Sequence, residues 1–430
     1  MTIRFRENLI IMESRPSLLL KNVLLPGGRT GDIAIMDRKV SHIGAGQDAE
    51  SVIDCTGLLV LPAAVDMHVH MRGGTQSAKE DWTSGSKSAL AGGVTVVVDQ
   101  PNTIPPLTTP ELFSARVCEA KTQSFCNFAI NSGVTPNTSL GAMWRGGAIA
   151  FGEIFCAPSS YGEAVSGHEL TEILGDIAEL DALATVHAES VRDGPDTSLA
   201  SHDALRSPEG ELRAVQAVRH SNTRSCRLHF CHMSTAWAID VAAGTVEVTP
   251  HHLLLSREQF SPDDTRVKVN PPLRNERERK GLLAQWKQID VIASDHAPHT
   301  TAEKGLPFPD APAGIPGVET MVPLLLAEVL NRTISLPDVI LKTSQAPARL
   351  VGIPPAGFTP GARGDFALYP KTAVRIDPDM LHNRCGWTPF EGRMAVFPSI
   401  VIRDGAVTYR DGEFFRREPV WFAGNGYVPP

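Results

Sequence analysis

The chain has 430 residues, with 40 Lys and Arg against 48 Asp and Glu and a formal net charge of −8. It lacks the basic surplus and the aromatic-basic interleaving of a nucleic-acid binder. Hydrophobic residues make up 42% and charged residues 20%, an ordinary globular composition, and no apolar run approaches the roughly 18 residues that would span a membrane. Seven cysteines, odd in number, scattered and without a Cys-x-x-Cys, read as reduced thiols of a cytoplasmic protein.

Residues 1–14 carry Arg4, Arg6, Glu7 and Glu13 and no long apolar core, so they do not read as a signal peptide. Residues 17–62 read as a small β unit, with strands over 17–25, 32–36, 40–43 and 52–54 and a turn at Gly27-Gly28. From Ala63 the texture changes to apolar strand-like runs separated by helical patterns, the alternation of parallel β/α architecture. Eight such runs occur, at 65–70, 95–99, 127–131, 148–155, 184–187, 227–232, 245–249 and 291–295. Helix candidates lie at 79–91, 169–180, 209–219 and 276–288.

Eight strands with helical crossovers close a (β/α)8 barrel, a fold of about 250 residues whose chemistry sits at the C-terminal strand ends. After Pro347 the texture reverts to β, with strands over 365–369, 399–403, 406–409 and 413–415. The expected fold class is therefore α/β, a distorted TIM barrel over 63–355 with a small β-sandwich built from 1–62 and 356–430. The Pro-rich end, Val428-Pro429-Pro430, reads as a loosely held tail.

Chemistry gathers at the ends of the runs. His68 and His70 are separated by one residue on a strand and so project from one face, as two ligands of one metal would. Run four carries Glu153, run five ends at His187, run six at His232 and run eight at Asp295. Four imidazoles and two carboxylates exceed the three protein ligands of a single zinc and suit two metals sharing a bridging carboxylate. A hydroxide between two such ions would be a nucleophile at neutral pH, because metal binding lowers the pKa of water from 15.7 to about 7. His251 and His252, after run seven, read as structural rather than as ligands of a third metal.

Several segments, among them Val65-Asp66-Met67-His68-Val69-His70-Met71-Arg72, Lys79-Glu80-Asp81, Pro101-Asn102-Thr103, Glu247-Val248-Thr249-Pro250-His251-His252, Lys268-Val269-Asn270-Pro271-Pro272 and Ser294-Asp295-His296-Ala297-Pro298-His299, resemble the dihydroorotases of the amidohydrolase superfamily, in the family's order. The resemblance implies reversible hydrolysis of (S)-dihydroorotate to N-carbamoyl-L-aspartate in pyrimidine synthesis. It also implies two divalent metal ions, zinc first among them. His68, His70 and Asp295 would hold one and His187 with His232 the other, with Asp295 also acting as general acid/base. Arg72, Asn102 and His299 match the family's grip on the substrate carboxylate, and Asn270 its contact to the ring. The partner implied is this small molecule, with no nucleic acid and no membrane; a homo-oligomer is compatible with the reading.

Two departures stand out. Many relatives bridge their metals with a carboxylated lysine on strand four, but no lysine occurs between Lys121 and Lys268, and Glu153 is the natural substitute. Arg72 is followed by Gly73-Gly74 where the family often has Asp-Pro-Gly, which reshapes the substrate-side loop. The rival readings are a hydantoinase- or allantoinase-like cyclic amide hydrolase and a silent homologue partnering another pyrimidine enzyme. Retention of a full ligand set speaks against the second. Residues 300–317, rich in Gly and Pro, read as a rim loop over the site.

Overall fold

The computed structural model of the chain describes residues 15–158 and 164–429. The expectations for residues 1–14 and for Pro430 fall outside the described residues. The first strands are β1 (Leu18–Leu24), β2 (Thr30–Met36), β3 (Lys39–Ile43), β4 (Ser51–Asp54) and β5 (Leu59–Pro62). The barrel strands follow as β6 (Ala64–Val69), β7 (Val94–Asp99), β8 (Asn127–Ile130), β9 (Phe151–Phe155), β10 (Leu183–His187), β11 (Arg227–Phe230), β12 (Thr245–Val248) and β13 (Val291–Ile292). The C-terminal part contributes β14 (Phe366–Tyr369), β15 (Val374–Arg375), β16 (Met394–Ala395), β17 (Ile400–Arg403), β18 (Ala406–Arg410) and β19 (Glu413–Phe414).

Strands β6 to β8 form one parallel sheet and β9 to β13 another. Two isolated parallel bridges, Ser132 with Phe151 and Val69 with His296, join their edges. At these seams Ser132 N donates to Ala150 O at 3.0 Å and His70 N to His296 O at 2.8 Å. The strands therefore run round a ring in chain order, each expected run matched by a strand. Val65, Met67, Val96, Val98, Ala129 and Ala293 are buried together in a cluster distinct from the main core.

Helix starts follow their caps. The helix expected from 79 begins at Trp82, because Asp81 accepts a hydrogen bond from Ser84 N at 2.9 Å in a capping box. The helix Met321–Leu330 was not expected; its buried residues run without a break from Met321 to Ala327, so no polar face marks a helical period.

Strand β14 pairs antiparallel with both β17 and β5, which draws the two chain ends into one sheet of order β19-β18-β17-β14-β5-β1-β2-β3, with β4 alongside β1. One face of it buries Leu18, Leu20, Ile33, Ile35, Phe366 and Ile402 together. Beyond β19 the chain returns to the barrel, where Phe422 N donates to Phe128 O at 2.8 Å and Val428 N to Arg145 O at 3.0 Å. The C-terminal segment is thus tied down at Val428, a correction to the loose tail expected there.

A candidate metal centre beside an anion pocket

His68 sits near the end of β6 and presents two differently used nitrogens. Its Nδ1 lies 2.9 Å from Glu247 Oε1, a pure acceptor, so Nδ1 carries the proton and Nε2 offers its lone pair. That Nε2 is buried without a hydrogen-bond partner, 3.4 Å from Glu153 Oε2 and 3.5 Å from Asp295 Oδ1. His70 Nε2 is 3.1 Å from Asp295 Oδ1 and 3.9 Å from Glu153 Oε2. On the other side His232 Nε2 lies 2.9 Å, and His187 Nδ1 3.4 Å, from Glu153 Oε1. Glu153 turns one oxygen to each histidine pair. The ligand atoms of His68, His70 and Glu153 lie within 4.8 Å of one another, and so do those of Glu153, His187 and His232. An orphaned imidazole lone pair between two carboxylates, in two such trios sharing one carboxylate, is a donor set that fits two divalent ions.

Local backbone turns these side chains inward. Arg72 (φ 43°), His232 (φ 34°) and Asp295 (φ 45°) all adopt the left-handed conformation, which costs non-glycine residues on the order of 1–3 kcal/mol each and concentrates at functional sites. Gly152 has φ 129°, and a Cβ there would stand 2.1 Å from Thr185 O, so only glycine brings Glu153 to this position.

The electrostatics are those of a cluster that needs cations. Burial pushes the Glu153 carboxyl up, but His68, His187 and His232 outweigh it and hold it well below the usual range. Burial pulls His187 down, and Glu153 with Glu189 raises it to about 9. Glu153, Glu189, Glu247 and Asp295 are all buried here, and buried carboxylates persist only with positive partners.

Two residues escaped the sequence reading. Glu247 holds His68 Nδ1, lies 3.1 Å from His229 Nε2 and accepts from His232 N at 3.0 Å. Glu189 Oε2 lies 3.2 Å from His187 Nε2 and 3.3 Å from Arg206 Nε. The signal was a lone charge in an otherwise uncharged strand for Glu247, and the His-Ala-Glu spacing for Glu189. His68, Cys231 and Glu247 form a further trio within the same ligand spacing, behind the first.

A cavity of about 450 Å³ opens over this cluster, lined among others by Arg72, Lys79, Asn102, Asn270, His299 and Gly314. Asn102 Oδ1 lies 2.6 Å from His70 Nδ1; accepting from that ring N–H leaves the Asn102 amide Nδ2 as a donor. Asn270 Oδ1 is likewise engaged, 2.9 Å from His202 Nε2. Lys79 Nζ lies 3.3 Å from His299 Nδ1 and can only donate, so the His299 proton sits on Nε2, 3.1 Å from Ala313 O. Burial, with Arg72, Lys79 and Lys304 behind it, holds the His299 pKa far below its ordinary value, and the ring is neutral.

Arg72 is 8% exposed, makes no ion pair among the described residues, and lies 3.5 Å from His299 Nε2. Its Nε has no hydrogen-bond partner. The chain turns at Arg72 and Gly73, both with positive φ, and a Cβ on Gly73 would meet Glu119 Oε1 at 2.7 Å. All the site residues named from the sequence except His68, which is buried behind the others, line one opening. His251 and His252 do not join it as ligands: His252 bonds Thr249 Oγ1 at 2.8 Å and Pro271 O at 3.0 Å, and burial lowers His251 to about 3. The 300–317 loop lines the cavity through Pro312, Ala313 and Gly314, and buried Lys304 pins it by donating to Thr265 O, Lys268 O and Pro312 O.

No family model matches the chain. It is 39% identical to a dihydroorotase of Methanosarcina acetivorans over 89% of both chains, and 37% identical to a dihydroorotase of Halobacterium salinarum over 92% of this chain and 97% of that one. Among solved structures, an L-hydantoinase (dihydropyrimidinase) from Arthrobacter aurescens superposes with a TM-score of 0.87 at 25% identity, covering 94% of this chain and 99% of its own. A D-hydantoinase from a Thermus species shares the fold, with a TM-score of 0.85 at 23% identity over 95% and 99%.

Proposed function

The chain belongs to the dihydroorotases, hydrolases of cyclic amides, and from that membership we propose that it converts (S)-dihydroorotate reversibly to N-carbamoyl-L-aspartate in pyrimidine biosynthesis. Two divalent ions, zinc first among them, would complete the site: His68, His70 and Asp295 would hold one, His187 and His232 the other, with Glu153 the carboxylate shared between them. The observation that carries the substrate assignment is Arg72, a buried guanidinium with no anionic partner among the described residues, facing the same cavity as the histidine-carboxylate cluster. Burying an unpaired charge costs several kcal/mol, and a substrate carboxylate returns that as a forked, charge-assisted pair.

Bound in the cluster, such ions supply a water acidic enough to attack a carbonyl near neutral pH. The chain's own groups do the rest. Arg72, the Asn102 amide and His299 take the ring carboxylate and fix the ring, with Asn270 against its edge. The scissile carbonyl is thereby set over Glu153 and Asp295. Asp295 accepts the proton of the attacking water and passes it to the leaving ring nitrogen; in ring closure it works in the opposite sense. Glu247, Asn102 and Glu189 hold His68, His70 and His187 in the tautomers that present lone pairs inward.

In the same reading the barrel over 63–355 carries the chemistry, and the two chain ends form the β unit that braces it. Among the described residues no helix is long and apolar enough to cross a membrane, and all seven cysteines are free thiols, which suits a cytoplasmic setting. The test is the zinc-loaded protein assayed on dihydroorotate, hydantoin and allantoin side by side. Dihydroorotate should be turned over at least tenfold more efficiently than either neutral ring. A preference for hydantoin or allantoin would overturn the assignment.

A further inference from the structure

Residues 376–396 leave the nine-stranded sheet and lie on the barrel instead. Ile376, Cys385, Trp387, Phe390 and Val396 are buried among the residues of the barrel's outer core. The short antiparallel pair β15 and β16 closes the neck of this strap, and beside it Arg393 donates to Leu254 O at 3.0 Å.

Several of its polar anchors fall on the two loops that build the anion pocket; others tie it elsewhere, His382 Nδ1 lying 2.7 Å from Glu319 Oε1 and Val396 N donating to Pro323 O at 3.0 Å. Trp387 Nε1 donates to His299 O at 2.8 Å, and Thr301 Oγ1 donates to Cys385 O at 3.4 Å. Arg384 Nη1 donates to Ser77 O at 2.9 Å, its Nη2 lies 2.5 Å from Asp81, and its backbone N lies 3.3 Å from Glu80 Oε2. The first loop carries Arg72 and Lys79, the second His299 and Glu303, and Lys79 Nζ meets Glu303 Oε1 at 2.9 Å between them. No anchor falls on a residue of the metal cluster.

We propose that the strap 376–396 belongs to the substrate-recognition apparatus: Trp387 and Arg384 are positioning residues that set the spacing of His299 against the Arg72 loop for a ring carboxylate. This rests on the dihydroorotase reading for its substrate, but not for its mechanics. His299 has both ring nitrogens engaged within the pocket, and its own carbonyl is the handle by which the strap holds it. A misplacement near 1 Å at a binding group can cost on the order of a hundredfold in rate, so a lost tether should be visible in kinetics.

The test uses the metal-loaded full chain with Trp387→Phe, which keeps the ring and removes its donor, and with Arg384→Met at a more exposed site. Each should raise the KM for dihydroorotate about five- to twentyfold and leave kcat within about twofold, with metal content unchanged. Amide hydrogen exchange should quicken over 298–304 in Trp387→Phe and over 73–79 in Arg384→Met. Unchanged exchange in both variants overturns the proposal, whatever the substrate; so does an equal loss of kcat on dihydroorotate and on dihydrouracil, the same ring without its carboxylate. Wild-type protein inert on dihydroorotate would instead overturn the dihydroorotase reading, and the exchange experiment would still decide the strap.

Discussion

The two halves of the site are built by different means. The metal-facing half hangs on strand ends: His68, Glu153, His187, His232 and Asp295 lie on or just past β6, β9, β10, β11 and β13, where parallel ladders fix both height and direction. The anion-facing half hangs on loops, with Arg72, Asn102 and His299 brought together by turns, by the Lys79–Glu303 pair and by a strap from the far end of the chain. One half is rigid and carboxylate-rich and calls for cations; the other is cationic and calls for an anion. Chemistry and recognition can therefore be damaged separately.

The largest effect should come from Asp295, the group that joins the two halves. Asp295→Asn removes the proposed proton carrier while keeping the shape, and general acid-base catalysis contributes roughly 10²–10⁴-fold. Turnover should fall by at least a hundredfold in both directions, measured as dihydroorotate hydrolysis and as cyclisation of N-carbamoyl-aspartate. A variant keeping a tenth of wild-type activity would mean that the proton travels another way. Next comes Glu153→Gln, since a neutral amide is a poor bridge between two cations. Elemental analysis should show close to one metal per chain lost, and a variant that still binds two tightly would remove Glu153 from the bridge.

The same contrast explains what could be read in advance. The eight runs, the candidate ligands at their ends and the pairing of the chain ends follow from alternation, strand period and turn residues, all local properties. Glu153 could be singled out because no lysine is available on that strand. Glu247 and Glu189 escaped because their work is to hold other side chains, which shows only when the strands are side by side. The tail at Val428 was misjudged for a related reason: it is held by Arg145, remote in sequence. Nothing local in 376–396 announces that Trp387 will reach His299.

Arg72→Met tests the recognition half alone. A charge-assisted contact contributes about 1.5–3 kcal/mol, so at roughly 1.4 kcal/mol per decade kcat/KM on dihydroorotate should fall ten- to somewhat over a hundredfold. Metal content should stay at the wild-type level, and the low efficiency on dihydrouracil should change little. Equal losses on charged and uncharged rings would mean that Arg72 supports the loop rather than the substrate.

The smallest effect concerns His299 and is read in stability. Its folded-state pKa is depressed, by burial first and then by Arg72, Lys79 and Lys304, while in the unfolded chain it returns to about 6.5. The unfolded chain therefore binds the proton first as pH falls, and the folded state is penalised relative to it. The neutral ring's contribution is complete above about pH 6.5 and is lost progressively below. One pH unit below that point, a single such histidine lowers stability by about 1.4 kcal/mol, the equivalent of one unit of pKa difference. Urea unfolding of wild type and His299→Gln at pH 7.5 and 5.5 isolates this share, because Gln does not titrate. The variant should lose less stability than wild type across that interval, by about 1.4 kcal/mol. An equal loss would mean that the ring takes up its proton inside the folded protein, against the charges of Arg72 and Lys79, and the recognition half would then be pH-sensitive in its own right.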